Sequence, residues 1–464
     1  MHSIFAYFER EKDFYRTFIK LGVPVALQNF LAASLGLIDN IMVGQLGDVP
    51  IASVGLANQY YFILFLVMQG VGGGTALFVS QFWGKKNLVQ IRKVIALGLA
   101  LSIIFSFLFF LAAVIAPRFI MGIFSADRDV IKLGGVFLSI VAISYMPMCL
   151  NFCVAAALRS MREVHIPLQA NILGILINTC LNYILIFGKS GFPAMGVAGA
   201  AIATVIAQSV ALLYICLRAY FKMPVLFHKP AGRLFHTGKR VFSVSKDLIK
   251  RFVIQTGTMI GKDLIWVIGI SVYMAIYARI STDAAAAVNI TSVVRNLSVV
   301  LFAGIANASS ILVGNSIGAG DRQGAYAYAA KFLKITLFLG VIFGIILILT
   351  RYLFLMPYKV SVNVFSGASG VMLVFGIALV FYVYNMVAVM GVMRPGGDNF
   401  FCAIMDTIAV WFIGLPLALL TAFVWKFPLM WVFAFISTQE VFKALFLTWR
   451  FKSKKWIHNL VHGI

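Results

Sequence analysis

The chain alternates between long apolar stretches and short polar breaks over its whole length. Each stretch is about 20 residues or longer, which is what an α-helix needs to cross the hydrocarbon core of a bilayer. Breaks at charged residues and at Gly or Pro clusters divide the sequence into about twelve such stretches. Their predicted limits are 17–42, 52–82, 93–117, 131–157, 166–187, 194–219, 250–279, 285–317, 330–352, 367–392, 400–425 and 427–449. The pattern predicts an all-α membrane protein with about twelve transmembrane helices.

A repeat relates the two halves of the chain. Residues 69–84 match residues 303–318 at an offset of 234, and each copy runs into a basic stretch. A second match, at an offset of 235, pairs Arg159 with Arg394. Since six spans is an even number, both halves enter the bilayer from the same side. We therefore predict two pseudo-symmetric six-helix lobes, related by an axis along the membrane normal.

A long polar connection near the midpoint separates these lobes. The predicted organisation is a cytoplasmic N-terminal segment (1–16), an N-lobe of helices 1–6 (17–219), a cytoplasmic linker (220–249), a C-lobe of helices 7–12 (250–449) and a basic cytoplasmic tail (450–464). The N-terminal residues show no apolar core followed by a small-residue cleavage site, so we expect no signal peptide.

Composition and charge agree with a bilayer environment. Hydrophobic residues make up 62% of the chain and charged residues 11%, with a mean hydropathy of +0.97. The formal net charge of +23 is unevenly placed, because 28 basic residues lie on the side of the termini and 8 on the other. This bias predicts an inner-membrane protein with both termini in the cytoplasm and anionic lipid as a partner. It argues against a nucleic-acid partner.

The sequence offers no enzyme chemistry. The five cysteines lie in apolar runs without a CxxC pair or zinc spacing, and we interpret them as small core residues. The glycines of 70–74 lack the GKS/T of a phosphate loop, which favours close helix packing. We expect no enzyme, no cofactor and no metal site other than one for a transported cation.

Polar residues inside the first span are candidates for function. An ionisable group at mid-bilayer costs about 2.5–3.5 kcal/mol on insertion scales. Asp39 lies within this span, and Gln28 lies eleven residues earlier on the same helical face. Pro24 removes a backbone hydrogen bond and permits bending. The alternative for Asp39 is an interfacial position near the outer end of the helix.

The fifth span carries three amides on one stripe. Asn171, Asn178 and Asn182 are seven and four residues apart, so they share a helical face. A buried face of amides predicts a hydrated or ion-lined cavity, with helix–helix hydrogen bonding as the alternative. Asn151 and Thr204 lie in neighbouring spans and are expected to join this face.

The C-terminal half has acids of its own. Asp406 lies in the eleventh span and matches Asn171 in the repeat, and Asp398 lies at the cytoplasmic end of the tenth. Lys262 and Asp263 are adjacent in the seventh span, so we expect their side chains to diverge rather than pair. Arg295 needs a partner or water, and the sequence assigns it none.

Four motifs together resemble the multidrug and toxic compound extrusion (MATE) family. Residues 39–47 (DNIMVGQLG) and 51–57 (IASVGLA) resemble its helix 1–2 signature. Residues 178–188 (NTCLNYILIFG) resemble its fifth-helix motif, and residues 394–398 (RPGGD) resemble its helix 10–11 link. The resemblance covers nearly the whole chain. It implies two six-helix lobes that export drugs in exchange for Na⁺ or H⁺.

The resemblance also implies site residues. Carried over one by one, the family's N-lobe cation site falls on Asp39, Asn178, Asn182, Asn151 and Thr204, and its bending proline falls on Pro24. The second fifth-helix position is often Asp in the family, so Asn182 removes one negative charge here. A C-lobe acid of another branch falls on Asp398, while the helix-7 Glu of that branch is replaced by Trp266, with Asp263 one turn away. The resemblance therefore favours the N-lobe, and Asp398, Asp406 and Asp263 are kept as a C-lobe alternative.

These observations predict a secondary active multidrug efflux transporter. It would work as a monomer by alternating access and export lipophilic, cationic compounds. The main alternative is a lipid-linked oligosaccharide flippase, which needs a cationic cavity for pyrophosphate. We count only Arg295 and Lys262 as basic residues inside the spans and assign the others, Lys443 among them, to the two sides of the membrane. A membrane-embedded transferase would need clustered acids or His at one membrane face, and the sequence shows none.

The topology can be tested by thiol labelling in a background without the five native cysteines. We expect Cys placed at Lys229 or Arg233 to resist an impermeant thiol reagent added outside intact cells, because the linker is cytoplasmic. Cys at Asp48 or Lys189 should label. Labelling in the reverse pattern would contradict the assignment from basic residues.

Overall fold

The computed structural model describes residues 2–223, 244–358 and 360–463. Over these ranges it contains helices and no strand, and twelve of the helices are long and apolar enough to cross a membrane. The predicted all-α class and the number of spans are confirmed. The spanning helices are α1 (His2–Gly44), α2 (Asp48–Gly84), α3 (Leu88–Ile115), α4 (Arg128–Ser160), α5 (His165–Phe187), α6 (Val197–Lys222), α7 (Lys246–Ile280), α8 (Thr282–Gly318), α9 (Arg322–Leu355), α10 (Val362–Met393), α11 (Asn399–Val424) and α12 (Leu429–Lys452).

Two local features were not predicted. A short helix, Pro117–Phe124, precedes α4 and begins with a proline, whose missing N–H costs nothing at a first helical position. The end of α10 (Ala388–Met393) and two stretches of α11 (Ile408–Gly414 and Leu420–Val424) are π-helical. Of the predicted linker, residues 224–243 lie outside the described residues.

The helices form two compact units. The N-unit comprises Leu27–Ile260, and the C-unit comprises the chain up to Ala26 together with Gly261–Gly463. The first part of α1 thus belongs to the C-unit and the first part of α7 to the N-unit, whereas the sequence assigned each helix wholly to one lobe. The lobe limits and the rotation between lobes stay predictions.

The N-unit is packed around α2 and α4. Leu64, Val71, Leu138 and Tyr145 are almost fully buried there in one apolar cluster. Helices α5 and α6 approach closely because Gly199 has no side chain: a Cβ at this position would lie 2.6 Å from the carbonyl oxygen of Leu185. Small residues at such crossings are what holds membrane helices together.

The C-unit has its own apolar cluster and an ordered C-terminal segment. Residues 453–463 follow α12, and Trp456 is fully buried among them. The backbone N–H of His458 donates to the carbonyl of Gly396 (2.9 Å), and the amide of Asn459 donates to the carbonyl of Ile317 at the end of α8 (3.1 Å). The basic tail is therefore packed against the ends of other helices.

The cysteines divide into two groups. Cys149, Cys153 and Cys402 are buried, as expected of small core residues. Cys180 and Cys216 are exposed, so the interpretation of all five as core residues was wrong. An apolar run does not show which face of a lipid-embedded helix points inward, because both faces are apolar.

The close α5–α6 crossing makes a prediction about stability. Gly199→Ala places a methyl group against the backbone of Leu185, so it should lower the thermal unfolding midpoint of the detergent-solubilised protein. The matched control is Gly257→Ala in α7, where a Cβ meets no atom within 4 Å. It should keep or raise the midpoint, since Ala is favoured over Gly in helices by about 1 kcal/mol. Equal effects would show that the crossing is not tight.

Candidate functional site

A chain of polar side chains links α1, α5 and α6 in the N-unit. The amide nitrogen of Asn182 donates to Asp39 Oδ1 (2.7 Å) and to Asn178 Oδ1 (2.9 Å). The amide nitrogen of Asn178 donates to Thr204 Oγ1 (3.3 Å), and that hydroxyl donates to the carbonyl of Ala200 (3.0 Å). The structure thus brings together four of the five residues predicted for the N-lobe. We call Asp39, Asn178, Asn182 and Thr204 the polar cluster.

The charge of the polar cluster contacts no basic side chain of the described residues. Among the described residues, Asp39 forms no ion pair, and its one hydrogen-bond donor is the neutral amide of Asn182. Asn182 is 1% exposed, and its carbonyl oxygen has no hydrogen-bond partner. Leaving a carboxylate unpaired and an amide oxygen unsatisfied inside a bundle costs free energy. A small cation or a proton would lower that cost.

The atoms of the polar cluster suit such a guest. Carboxylate, amide and hydroxyl oxygens are the ligands that hard cations prefer in proteins. No group of three or more His, Cys, Asp or Glu side chains that could hold a metal ion occurs within the described ranges. The cluster therefore offers one full negative charge and several neutral oxygens.

The amide stripe of α5 continues beyond the polar cluster. The side chain of Asn171 donates to the backbone carbonyl of Gln28 in α1 (3.2 Å), and Arg159 donates to the Gln28 side chain (3.4 Å). The stripe therefore contacts α1 at both ends. Pro24 lies inside α1 one turn before Gln28, and its role in bending stays a prediction.

Asn151 is not part of the hydrogen-bonded chain. It lies in α4 and is partly buried, and within the described part of the chain it donates no hydrogen bond to the four residues of the polar cluster. Its assignment to the cation site stays a prediction.

In the C-unit, the carboxylates of Asp263 and Asp406 are held by basic side chains. Asp406 of α11 forms ion pairs with Lys443 of α12 and with Lys262 of α7 (3.0 Å to the latter). Asp263 pairs with Lys262 (2.8 Å) and with Arg394 at the end of α10 (3.1 Å). These five residues, which we call the ion network, are all largely buried.

The ion network corrects two statements made from the sequence. Lys262 and Asp263 do pair, because a long lysine chain can curl back to a carboxylate that starts on another helical face. Lys443, which was not counted among the basic residues inside the spans, is buried against Asp406. The pairing of Lys443 with Asp406 could have been predicted from the free-energy cost of a buried carboxylate. That cost requires each acid inside a span to have a basic partner on another span.

Asp398, the C-lobe alternative, is also neutralised. Arg450 of α12 approaches it with two nitrogens, at 2.6 Å and 3.1 Å, in a forked arrangement. Asp398 is 6% exposed. Bidentate Arg–carboxylate pairs are among the strongest hydrogen-bonded contacts in proteins. A coupling cation at Asp398, Asp406 or Asp263 would have to displace a cation that the protein already supplies.

Comparisons with known proteins agree with this architecture. Residues 24–184 and 259–420 match the model of the MatE family. The relative named "Uncharacterized transporter YisQ" from Bacillus subtilis is 26% identical over 446 residues, which cover 94% of each chain. "Probable multidrug resistance protein NorM" from Bacillus cereus is 24% identical over 412 residues, covering 88% of each. A solved variant of the MATE transporter VcmN from Vibrio cholerae superposes with a TM-score of 0.84 at 15% identity, over 97% of this chain and 98% of the other.

The pair Asp398–Arg450 allows a double-mutant test of a structural role. Asp398→Asn should lower the thermal unfolding midpoint, because it leaves the Arg450 charge partly buried without its partner. Arg450→Met alone should do the same, and the double variant should be less unstable than the sum of the two. Strict additivity would show that the pair does not stabilise the C-unit.

Proposed function

The chain belongs to the multidrug and toxic compound extrusion (MATE) family, and on that premise we propose that it is a secondary active multidrug efflux transporter. It is a multi-pass membrane transporter and not an enzyme. The export of drugs is supported by the names of relatives such as NorM, which span most of this chain. We place it in the inner membrane with both termini in the cytoplasm, and we propose that a single chain does the transport.

We propose further that the coupling ion, Na⁺ or H⁺, binds at Asp39. The observation that carries this proposal is the contrast between Asp39 and the three acids of the C-lobe alternative. Asp39 is held by one neutral amide, whereas Asp263, Asp398 and Asp406 each pair with a basic side chain. An incoming cation is stabilised fully by a free carboxylate but only weakly by one that is already neutralised.

The polar cluster can respond to either ion. Sodium would find the Asp39 carboxylate and the unpartnered Asn182 oxygen as ligands, with Asn178 and Thr204 next in the chain. A proton would turn Asp39 into a donor, for which the same Asn182 oxygen is an acceptor. Both neutralise the charge of Asp39 and rearrange the hydrogen bonds between α1 and α5.

Exchange of the ion for the drug follows if the two lobes open the binding sites alternately to the two sides of the membrane. The ion drives efflux only by binding one conformation better than the other. We propose that neutralising Asp39 favours the conformation with lower affinity for the cargo, so that ion entry releases the drug. Lipophilic cations are the proposed cargo.

The flippase alternative is less well supported by the charges. A pyrophosphate group needs cations that are free to contact it. Of the two basic residues considered for such a cavity, Lys262 faces a carboxylate of the protein and Arg295 does not. Arg394, Lys443 and Arg450 also face carboxylates, so Arg295 alone would have to hold the pyrophosphate in the C-unit.

Asp39→Asn tests the coupling proposal. It preserves the shape of the side chain and removes the charge that an ion must neutralise. In proteoliposomes with Na⁺ and pH gradients imposed separately, we expect gradient-driven ethidium transport to fall about tenfold or more. Ethidium binding without a gradient should change less than about threefold, because the charge belongs to the coupling step.

The controls use the same chemical change elsewhere. Asp48→Asn, at the exposed start of α2, should transport normally. Asn182→Ala should weaken ion dependence less than Asp39→Asn, since it removes a neutral ligand. Normal transport by Asp39→Asn, together with a stable but inactive Asp398→Asn, would move the coupling site to the C-unit.

A further inference from the structure

A cavity of about 90 Å³ lies within the C-unit, outside the polar cluster and the ion network. Four helices line it, each with one face. The lining residues of α7 and α8 recur at helical spacing, for example Trp266, Ile270 and Tyr273 on α7 and Ser292 and Arg295 on α8. The cavity is thus a product of the bundle rather than of a loop.

Aromatic rings supply six of the sixteen residues that line the cavity. Rings come from α7, α10 and α12: Trp266, Tyr273, Tyr277, Phe375, Tyr382 and Phe433. Aromatic faces attract apolar groups, other rings and ammonium groups alike. Such a wall suits an aromatic molecule that carries a positive charge.

Two opposite charges face the cavity from different helices. Arg295 of α8 and Glu440 of α12 both line it. No ion pair joins them, and Arg295 forms no hydrogen bond with any residue in the described ranges. The Glu440 carboxylate accepts one hydrogen bond, from the neutral amide of Asn385 (2.8 Å). Arg295 and Glu440 therefore lie within membrane-spanning helices, and neither contacts an opposite charge of the described residues. The charges of the ion network, in contrast, contact one another.

A charge of each sign in one cavity is satisfied by a ligand with both charges. An anion alone would pair Arg295 and leave Glu440 unpaired, and a cation alone would do the reverse. A carboxylate suits the forked donors of an arginine, and a protonated amine suits a glutamate beside aromatic rings. We propose that this cavity binds small aromatic zwitterions, with the ligand carboxylate on Arg295 and the ligand ammonium at Glu440.

The size of the cavity limits which aromatic zwitterions can bind. The volume of about 90 Å³ is well below the roughly 300–1,000 Å³ of drug-sized sites, and the cavity is partly open. It takes in one part of a molecule such as an aromatic amino acid, and the remainder lies in the opening, because even benzene occupies a cavity of about 150 Å³. The inference goes beyond the proposed function by assigning this cavity a ligand class other than the lipophilic cations, and it rests on that function only as far as transport is concerned.

Binding of L-phenylalanine by the purified protein in nanodiscs tests the proposal. The comparison compounds are its methyl ester, which keeps only the cation, and its N-acetyl derivative, which keeps only the anion. Each should need a concentration about tenfold or more above that of unlabelled L-phenylalanine to displace tritiated L-phenylalanine, since each leaves one protein charge unpaired. Equal displacement by all three, or no binding of L-phenylalanine, would overturn the proposal without any variant.

Variants assign the two charges. Arg295→Gln should weaken binding of L-phenylalanine about tenfold or more and leave that of the methyl ester unchanged, and Arg295→Lys should restore part of the loss. Glu440→Gln should spare the N-acetyl derivative instead. The matched control is Arg351→Gln in α9, whose guanidinium contacts Ser369 outside the cavity, and it should bind normally. A loss that is the same for all three compounds would contradict the assignment.

The two proposals fail in different ways. Ion-driven ethidium efflux without L-phenylalanine binding would overturn the cavity proposal alone. Binding of L-phenylalanine by wild type and by Asp39→Asn, with no ion-driven efflux by either, would overturn the coupling proposal alone.

Discussion

The absence of water from the hydrocarbon core governs this structure. A charge on a membrane-spanning helix cannot be solvated there, so it needs a partner on another helix, a bound ion, or a path to the surface. In the C-unit, the ion network meets this constraint for Asp263 and Asp406, whose carboxylates are held by lysines and an arginine. The N-unit meets it only in part, because Asp39 is held by an amide.

The ion network and the polar cluster differ in how firmly they link their helices. Ion pairs between α7, α10, α11 and α12 link these helices by contacts that are costly to break one at a time, since each loss leaves a buried charge behind. The N-unit cluster is a row of neutral hydrogen bonds ending in one carboxylate, and its partners can be exchanged at lower cost. We infer that the C-unit bundle is the more rigid, while α1 and α5 respond to the ion.

Sequence reasoning reached the parts of the structure that depend on local patterns. Twelve spans follow from apolar length, and the meeting of Asp39, Asn178 and Asn182 was expected from helical spacing together with the family resemblance. The pairing of Lys262 with Asp406 was not, because the two residues are 144 positions apart and their contact depends on how α7 packs against α11. Burial of Lys443 was missed for the same reason, since counting basic residues near helix ends does not show their depth.

The π-helical stretches of α11 affect how the two halves of the chain can be aligned. A turn closed by i→i+5 hydrogen bonds contains one residue more than an α-helical turn, so each such turn shifts the following side chains around the axis. Counting at a constant offset of 235 would match Asn178 with Ile413 and Asn182 with Leu417, both beyond the point where the first π-helical stretch begins. If these turns arose after the duplication, an alignment of the two halves needs a gap inside α11. The descendants of the ancestral amide positions should then be sought one residue further along.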